Sequence, residues 1–368
     1  LKKSLSFAAY HFLSKRYSDR FVAHERKDFE QMQPVFDNML IDAGYDFEDN
    51  SPEAEFGRRV AGRYIEYGYQ DGAREKADYD NAHYLSKNEI MLPALRGTGG
   101  LSHPNHWQPL GLKSGINEET NVSEFERSRI FLGAEWGRVD PFSLTEDDYE
   151  IKKRDGSEFK VYFDPGPPPK IGTPSGDKYR WNFEMVAIWA SHLDPNSSKP
   201  IELSPTNRGN SDPPTDPDEF DCYYDYYGGG DFSDGHRINP VTGYRFERKI
   251  VPRADYARAA AEYWADGADS ETPAGHWFRI MNLTFDHPDF ERRFGGEGPE
   301  IDPLEWDITA YFIMGGAMHD AAIAAWSVKG FYDYVRPISA LRHLASLGQS
   351  SDPALPNYNP EGINLHPG

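Results

Sequence analysis

The stretch PLEWDITAYFIMGGAMHDAAIAAWSVKGFYDYVRP, residues 303–337, carries the strongest helical pattern in the chain. Its large apolar residues recur at intervals of three and four positions, the spacing that places side chains on one face of an α-helix. Asp302 can cap the first turn and Pro303 suits the first helical position. We therefore predict a helix from Pro303 to Lys329, as the main element of a mostly α fold.

Weaker patterns elsewhere complete the predicted fold. Helical spacing occurs within residues 5–48, 59–71, 181–193, 254–264 and 277–283. Asp155-Gly156 separates two strand-like stretches within residues 150–163, a pattern typical of a β-hairpin. Residues 205–244 are rich in Pro, Gly, Asp and Tyr, which predicts a long irregular loop. The expected architecture is helical, with long loops and a minor hairpin.

The composition excludes several classes of protein. A net charge of −21, with acidic residues along the whole chain, argues against nucleic-acid binding and against anionic membrane surfaces. No apolar run is long enough to span a membrane. Cys222 is the single cysteine, so the chain has no intrachain disulfide. The acidic composition and the missing initiator Met favour a secreted or periplasmic location without deciding it.

Lys329 and Arg336 form the most informative pair of charges. They are seven positions apart, about two helical turns, and would share one face if the helix continued through both. Pro337 disfavours helical geometry at Arg336, which then lies at the helix end or in the following turn. In both cases the two cations can converge on a tetrahedral oxyanion, since Arg offers a planar fork of donors and Lys a point charge. Spacing alone, however, favours two solvated ends of a surface helix.

The surrounding residues resemble a known family. Lys329, six intervening residues and Arg336-Pro337 resemble the first signature of the vanadium haloperoxidases and of the related type-2 phosphatidic acid phosphatase superfamily. Trp326, three residues before the lysine, fits the haloperoxidase branch. Further similar blocks lie upstream, at residues 103–110, 140–144, 255–267 and 272–277. The resemblance thus extends over most of the chain.

The resemblance implies a fold and a binding site. The fold would be a helical bundle of the vanadium haloperoxidase type, forming a single domain over residues 1–368 that is incomplete at its C-terminus. Lys329 and Arg336 would hold the equatorial oxygens of vanadate, with Trp326 lining the pocket. Phosphate can occupy the same site.

Two further residues are implicated by the same resemblance. Asp266 would pair with an active-site arginine, or else serve as a helix C-terminal residue before glycine. His276 would face the pocket, or else have a capping or packing role at a helix start. The Ser-Gly-His segment and the later Arg…His segment of the family are missing here. The apical histidine ligand is therefore expected beyond Gly368, and no metal ligand is assigned within the chain.

The implied activity is that of a vanadate-dependent peroxidase. Such an enzyme oxidises halide with hydrogen peroxide to a hypohalous-type halogenating species, which then attacks a small organic acceptor. One alternative is an acid phosphatase using the same site, because phosphate and vanadate share their geometry. The other is a non-catalytic haloperoxidase-like scaffold. The identity of the halide and the oligomeric state, including a homo-oligomer, stay open.

Other histidines have simpler explanations. His319 and Asp320 lie mid-helix in an apolar surround, which favours a buried histidine satisfied by a neighbouring element over a catalytic one. His103 and His106 could reach one metal ion, but Pro104 between them favours a turn.

Overall fold

The computed structural model describes residues 1–18, 26–77, 79–111, 131–206, 214, 216, 219–223, 225, 235–264 and 271–365. The chain divides into two compact units. The first unit comprises Leu1–Leu85, Ile130–Pro165 and His276–Tyr332, and the second comprises Ser86–Arg129, Gly166–Gly275 and Asp333–Gly368. The prediction of a single domain over residues 1–368 stays a prediction.

The described residues are largely helical, with two small antiparallel strand pairs. The helices are α1 (Lys2–Ser18), α2 (Arg26–Asp42), α3 (Pro52–Gly68), α4 (Gly176–Ser191), α5 (Phe220–Tyr223), α6 (Arg253–Trp264), α7 (Pro273–Phe285), α8 (Pro303–Tyr332) and α9 (Pro337–Leu347). The strands are β1 (Tyr149–Arg154), β2 (Ser157–Tyr162), β3 (Pro200–Glu202) and β4 (Ile250–Pro252). None of the helices in these described ranges is both long and apolar enough to cross a membrane.

In the first unit, α1 packs against α2 and α3. Phe7, Leu40 and Ala54 form a small buried core between the three helices. Gly57 allows α1 to approach closely, because a Cβ atom there would lie 2.3 Å from the carbonyl oxygen of Ser4. The predicted helical pattern of residues 5–48 thus corresponds to two helices, α1 and α2.

The predicted hairpin is confirmed. β1 and β2 pair in register from Tyr149 opposite Tyr162 to Arg154 opposite Ser157. Asp155 and Gly156 form the two-residue turn, and their φ angles of +51° and +82° match the left-handed backbone that such turns require. The hairpin packs against α8.

Helix α8 begins as predicted and ends later. The Asp302 carboxylate accepts hydrogen bonds from the backbone N–H groups of Leu304 (3.0 Å) and Glu305 (3.3 Å), which satisfies donors of the first turn. The helix continues to Tyr332, three residues beyond the predicted end at Lys329. It stops where Asp333 adopts a left-handed φ of +51°.

In the second unit, α4 packs against α9. Tyr179 and Phe183 from α4 meet Ala340 and Leu344 from α9, together with Val335, in a buried core. Strands β3 and β4 form a short pair beside α6. The sequence reasoning predicted neither α9 nor this pair.

The predicted loop 205–244 lies largely outside the described residues. Within its described part, α5 forms a single helical turn, and Ile238 pairs with Arg245 just beyond the predicted end in an isolated bridge. Cys222 in that turn is exposed.

Candidate anion-binding site

Lys329 lies in the last turn of α8, in the first unit. Its Nζ atom is 4.1 Å from the centroid of the Trp326 ring, a cation–π distance. Among the described residues the ammonium has no hydrogen bond or ion pair, and the residue is exposed. A cation at this position is favoured by the helix dipole, because the helix C-terminus carries partial negative charge. No described residue therefore competes with an anion for the Lys329 ammonium.

The Trp326 indole, on which the Lys329 ammonium lies, is itself held by several contacts. Its indole N–H donates to the carbonyl oxygen of Leu132 at 2.9 Å, and its ring lies 5.7 Å from the ring of Trp136. Gly133 makes this packing possible, because a Cβ atom there would lie 2.4 Å from the indole. The indole is therefore held in one orientation against the loop that precedes the hairpin.

The end of α8 is anchored on two sides. The Arg154 guanidinium donates to the carbonyl oxygens of Gly330 (2.6 Å) and Phe331, which have no partner inside a helix that ends at Tyr332. On the other side, a Cβ atom at Gly330 would lie 1.9 Å from the carbonyl oxygen of Ala134. The position of the backbone around Lys329 is thus fixed by the Arg154 guanidinium on one side and by the main chain at Ala134 on the other.

Arg336 lies in the second unit, immediately before α9. Its backbone is extended, with φ −76° and ψ 149°, and Pro337 occupies the first helical position. The prediction that Pro337 removes Arg336 from helical geometry is confirmed, and the continuous helix through both cations is not formed. The Arg336 guanidinium lies 5.4 Å from the centroid of the Trp107 ring.

Arg336 is an exposed residue whose guanidinium is partly covered by neighbouring side chains. Burial of the guanidinium lowers its pKa, yet in the described part of the chain no carboxylate or other acceptor pairs with it. Arginine stays protonated in proteins, so the cost of desolvation is not relieved by loss of the proton. A partly desolvated cation without a counter-charge is the arrangement that an oxyanion would stabilise.

A histidine–aspartate pair lies close to Arg336 in the same unit. The His106 Nδ1 atom is 2.9 Å from Oδ2 of Asp333, which is only 1% exposed. The backbone carbonyl of Asp333 also accepts a hydrogen bond from the N–H of Trp107. Trp107 is the residue whose ring lies against the Arg336 guanidinium. Because the carboxylate accepts the Nδ1 proton, Nε2 of a neutral His106 is left as a proton acceptor.

Replacing Asp333 with Asn should lower the pKa of His106 further. Burial already holds that pKa below its ordinary value, and the hydrogen bond and charge of Asp333 are the largest opposing effects. Asparagine tolerates the left-handed backbone at this position, so the fold should persist. Titration of the histidine ring protons by NMR checks this, and an unchanged or higher pKa would show that Asp333 does not stabilise the imidazolium.

The sequence favoured a turn at His106 over a metal site shared with His103. The turn exists, since the His106 N–H donates to the carbonyl of His103 at 3.0 Å. The pairing with Asp333 was missed because the two residues are separated by 227 positions and no local pattern links them. Across the described ranges, no group of three or more His, Cys, Asp or Glu residues is arranged to hold a metal ion.

The remaining predicted site residues are placed as follows. Asp266 lies outside the described residues. His276 is half-buried in the first turn of α7. The roles of both at an anion site stay predictions, as does the lining of a vanadate pocket by Trp326.

Comparison with known families supports part of this assignment. Residues 309–351 match a family model described as the VCPO second helical-bundle domain. The matched segment contains Trp326, Lys329 and Arg336 and covers most of α8 and all of α9. No curated protein and no solved structure matches the chain significantly. Over this small part of its length, the chain is similar to the vanadium haloperoxidases.

Proposed function

We propose that this protein is a vanadate-dependent peroxidase that oxidises halide with hydrogen peroxide and so halogenates a small organic acceptor. The observation that supports the proposal most is that Arg336, an exposed residue whose guanidinium lies over the Trp107 ring, has no counter-charge among the described residues. It lies within the segment that matches the VCPO helical-bundle domain.

The residues present fit a tetrahedral oxyanion such as vanadate. Lys329 and Arg336 both have donors that no described acceptor occupies, and both rest on indole rings that restrict their motion. Vanadate carries negative charge on several oxygens, which a point charge and a planar fork can share. When bound, vanadate supplies a Lewis-acidic centre that makes hydrogen peroxide more electrophilic.

The chain's own side chains would orient the anion and balance its charge. Arg336 would donate two parallel hydrogen bonds to neighbouring oxygens of the anion, and the role of Lys329 at the same anion is the one that the family resemblance implies. His106 would accept or return a proton at Nε2, since Asp333 fixes the proton on Nδ1. Each of these roles uses an atom that the described structure leaves available.

Lys329→Ala and Arg336→Ala should each weaken vanadate binding by about tenfold to a hundredfold. This is the range expected for the loss of one charge-assisted hydrogen bond. Isothermal titration of the full-length protein with orthovanadate measures this. Lys76→Ala is the matched control, because Lys76 also lies over an aromatic ring, 4.3 Å from the centroid of Tyr69. Its vanadate affinity should equal that of the unchanged protein.

Activity requires a separate assay. Vanadate-loaded protein should brominate a phenolic dye in the presence of hydrogen peroxide, and Arg336→Ala should reduce the rate at least as much as it reduces affinity. Vanadate binding without oxidation of chloride, bromide or iodide would reject the peroxidase while retaining the anion site. Equal vanadate affinity in Arg336→Ala and the unchanged protein would reject the site itself.

A further inference from the structure

The first unit contains a cavity that the proposed anion site does not use. Its volume is about 750 Å³, within the range of about 300–1,000 Å³ typical of small-molecule sites. Five aromatic side chains line it: Tyr64, Tyr67, Phe142, Tyr311 and Phe312. All five are exposed, and they come from α3, from α8 and from the loop that precedes β1.

Two consecutive glycines in α8 shape this cavity. Gly316 accommodates the Phe142 ring, because a Cβ atom there would lie 2.4 Å from it. Gly315 has a different role, since its nearest neighbour to an added Cβ is a Phe278 atom at 3.9 Å. Because Gly315 lines the cavity and an added Cβ would make only ordinary van der Waals contact, a larger side chain there would occupy part of the cavity.

One end of the cavity has its polar groups satisfied. The Tyr67 hydroxyl (3.0 Å) and Nε2–H of His319 (2.9 Å) both donate to the carbonyl oxygen of Asp140. Burial raises the pKa of Tyr67, and the charges of Asp140, Asp71 and Asp320 raise it further. This end is therefore rich in negative charge and unsuited to a ligand anion.

Arg63 adds a positive charge to the lining of the same cavity. It lies one helical turn before Tyr67 on α3, about 6 Å along the axis. Within the described ranges its guanidinium has no ion pair or hydrogen bond, although the chain as a whole carries a charge of −21. An unpaired arginine beside several aromatic rings suits a planar ring that bears a carboxylate.

We propose that this cavity binds small aromatic carboxylates, with the ring between the aromatic side chains of α3 and α8 and the carboxylate on Arg63. The site is independent of vanadate and of the proposed peroxidase activity. Its ligand would be oriented, because only the Arg63 end favours a negative charge.

Titration of the full-length protein with 2-naphthoate tests this proposal. We expect saturable binding, and we expect the neutral 2-naphthalenemethanol and the non-aromatic cyclohexanecarboxylate each to bind about tenfold more weakly or worse. Arg63→Gln should weaken 2-naphthoate about tenfold or more while leaving the affinity for the alcohol unchanged. Arg59→Gln is the control on the same helix, because Arg59 lies over Phe56 and does not line the cavity.

A second variant tests the cavity itself. Gly315→Leu should abolish binding of both aromatic ligands by filling the space, without changing vanadate affinity. Absence of 2-naphthoate binding, equal affinity for the alcohol, or an unchanged affinity in Arg63→Gln would each overturn the proposal. Should Gly315→Leu fail to fold, the exposed Arg63 variant still decides the question.

Discussion

Replacement of Asp320 with Asn should lower the free energy of unfolding by about 3 kcal/mol, although the side chain keeps its size. The Asp320 carboxylate is 7% exposed and accepts from three donors: the backbone N–H groups of Phe142 (2.6 Å) and Ser143 (2.8 Å), and the Ser143 hydroxyl. An asparagine would direct its NH₂ group at one of these donors, so at least one buried hydrogen bond would be lost.

The pH dependence of stability distinguishes this effect from a packing defect. Burial alone would raise the pKa of Asp320, but the hydrogen bonds from Ser143 and Phe142 outweigh burial and hold the pKa below its ordinary value. A carboxyl group with a lowered folded-state pKa stabilises the protein above its unfolded-state pKa, and this stabilisation is lost as the pH falls through the folded-state value. The difference between the two proteins should therefore shrink below about pH 4.

Urea unfolding of both proteins at several pH values measures the difference. Asp307→Asn is the matched control, because Asp307 is an exposed carboxylate on the same helix and should change stability by less than about 0.5 kcal/mol. A difference that stays constant from pH 7 to pH 3 would contradict the assigned charge state of Asp320.

Gly330→Ala should destabilise the first unit by about 3 kcal/mol or more. The added Cβ atom would lie 1.9 Å from the carbonyl oxygen of Ala134 and 2.7 Å from its carbonyl carbon. Both are backbone atoms, so no side-chain rotation can relieve the overlap, and either α8 or the loop must move.

A second glycine on the same helix serves as the control, because its substitution should raise stability instead of lowering it. Gly315→Ala meets nothing closer than 3.9 Å, so its methyl group should fit, and the higher helix propensity of alanine should raise stability by up to about 1 kcal/mol. Thermal unfolding of the two variants compares them directly. Equal effects of the two substitutions would show that the close approach at Gly330 does not exist in solution.

The sequence predicted most helices because their causes are local. Residues 303–337 carry the apolar spacing, the Asp302 cap and the first-turn proline, all of which act within a few positions. The hairpin was predictable for the same reason, since Asp155-Gly156 alone selects the turn. Helix α9 was missed although Pro337 marks its first turn, because Pro337 was interpreted only as the end of the preceding helix.

The site was less predictable than the fold. Lys329 and Arg336 could be proposed from their spacing, but the absence of counter-charges around them among the described residues depends on the packing of distant segments. The His106–Asp333 pair and the lining of the aromatic cavity beside Arg63 likewise consist of residues far apart in sequence. Hydrogen bonds and cavities of this kind are created by tertiary structure, so a single sequence carries no local signal for them.

The close approach at Gly133 and Gly330 has a consequence for genetic screens of this protein. Neither glycine has a chemical group for catalysis, yet any side chain at either position would collide with Trp326 or with the main chain at Ala134. In a saturation screen scored only by activity, both would rank as intolerant positions beside Lys329, the proposed anion ligand. Scoring cellular abundance beside activity would separate them, because loss at the glycines removes the folded protein and loss at the lysine does not.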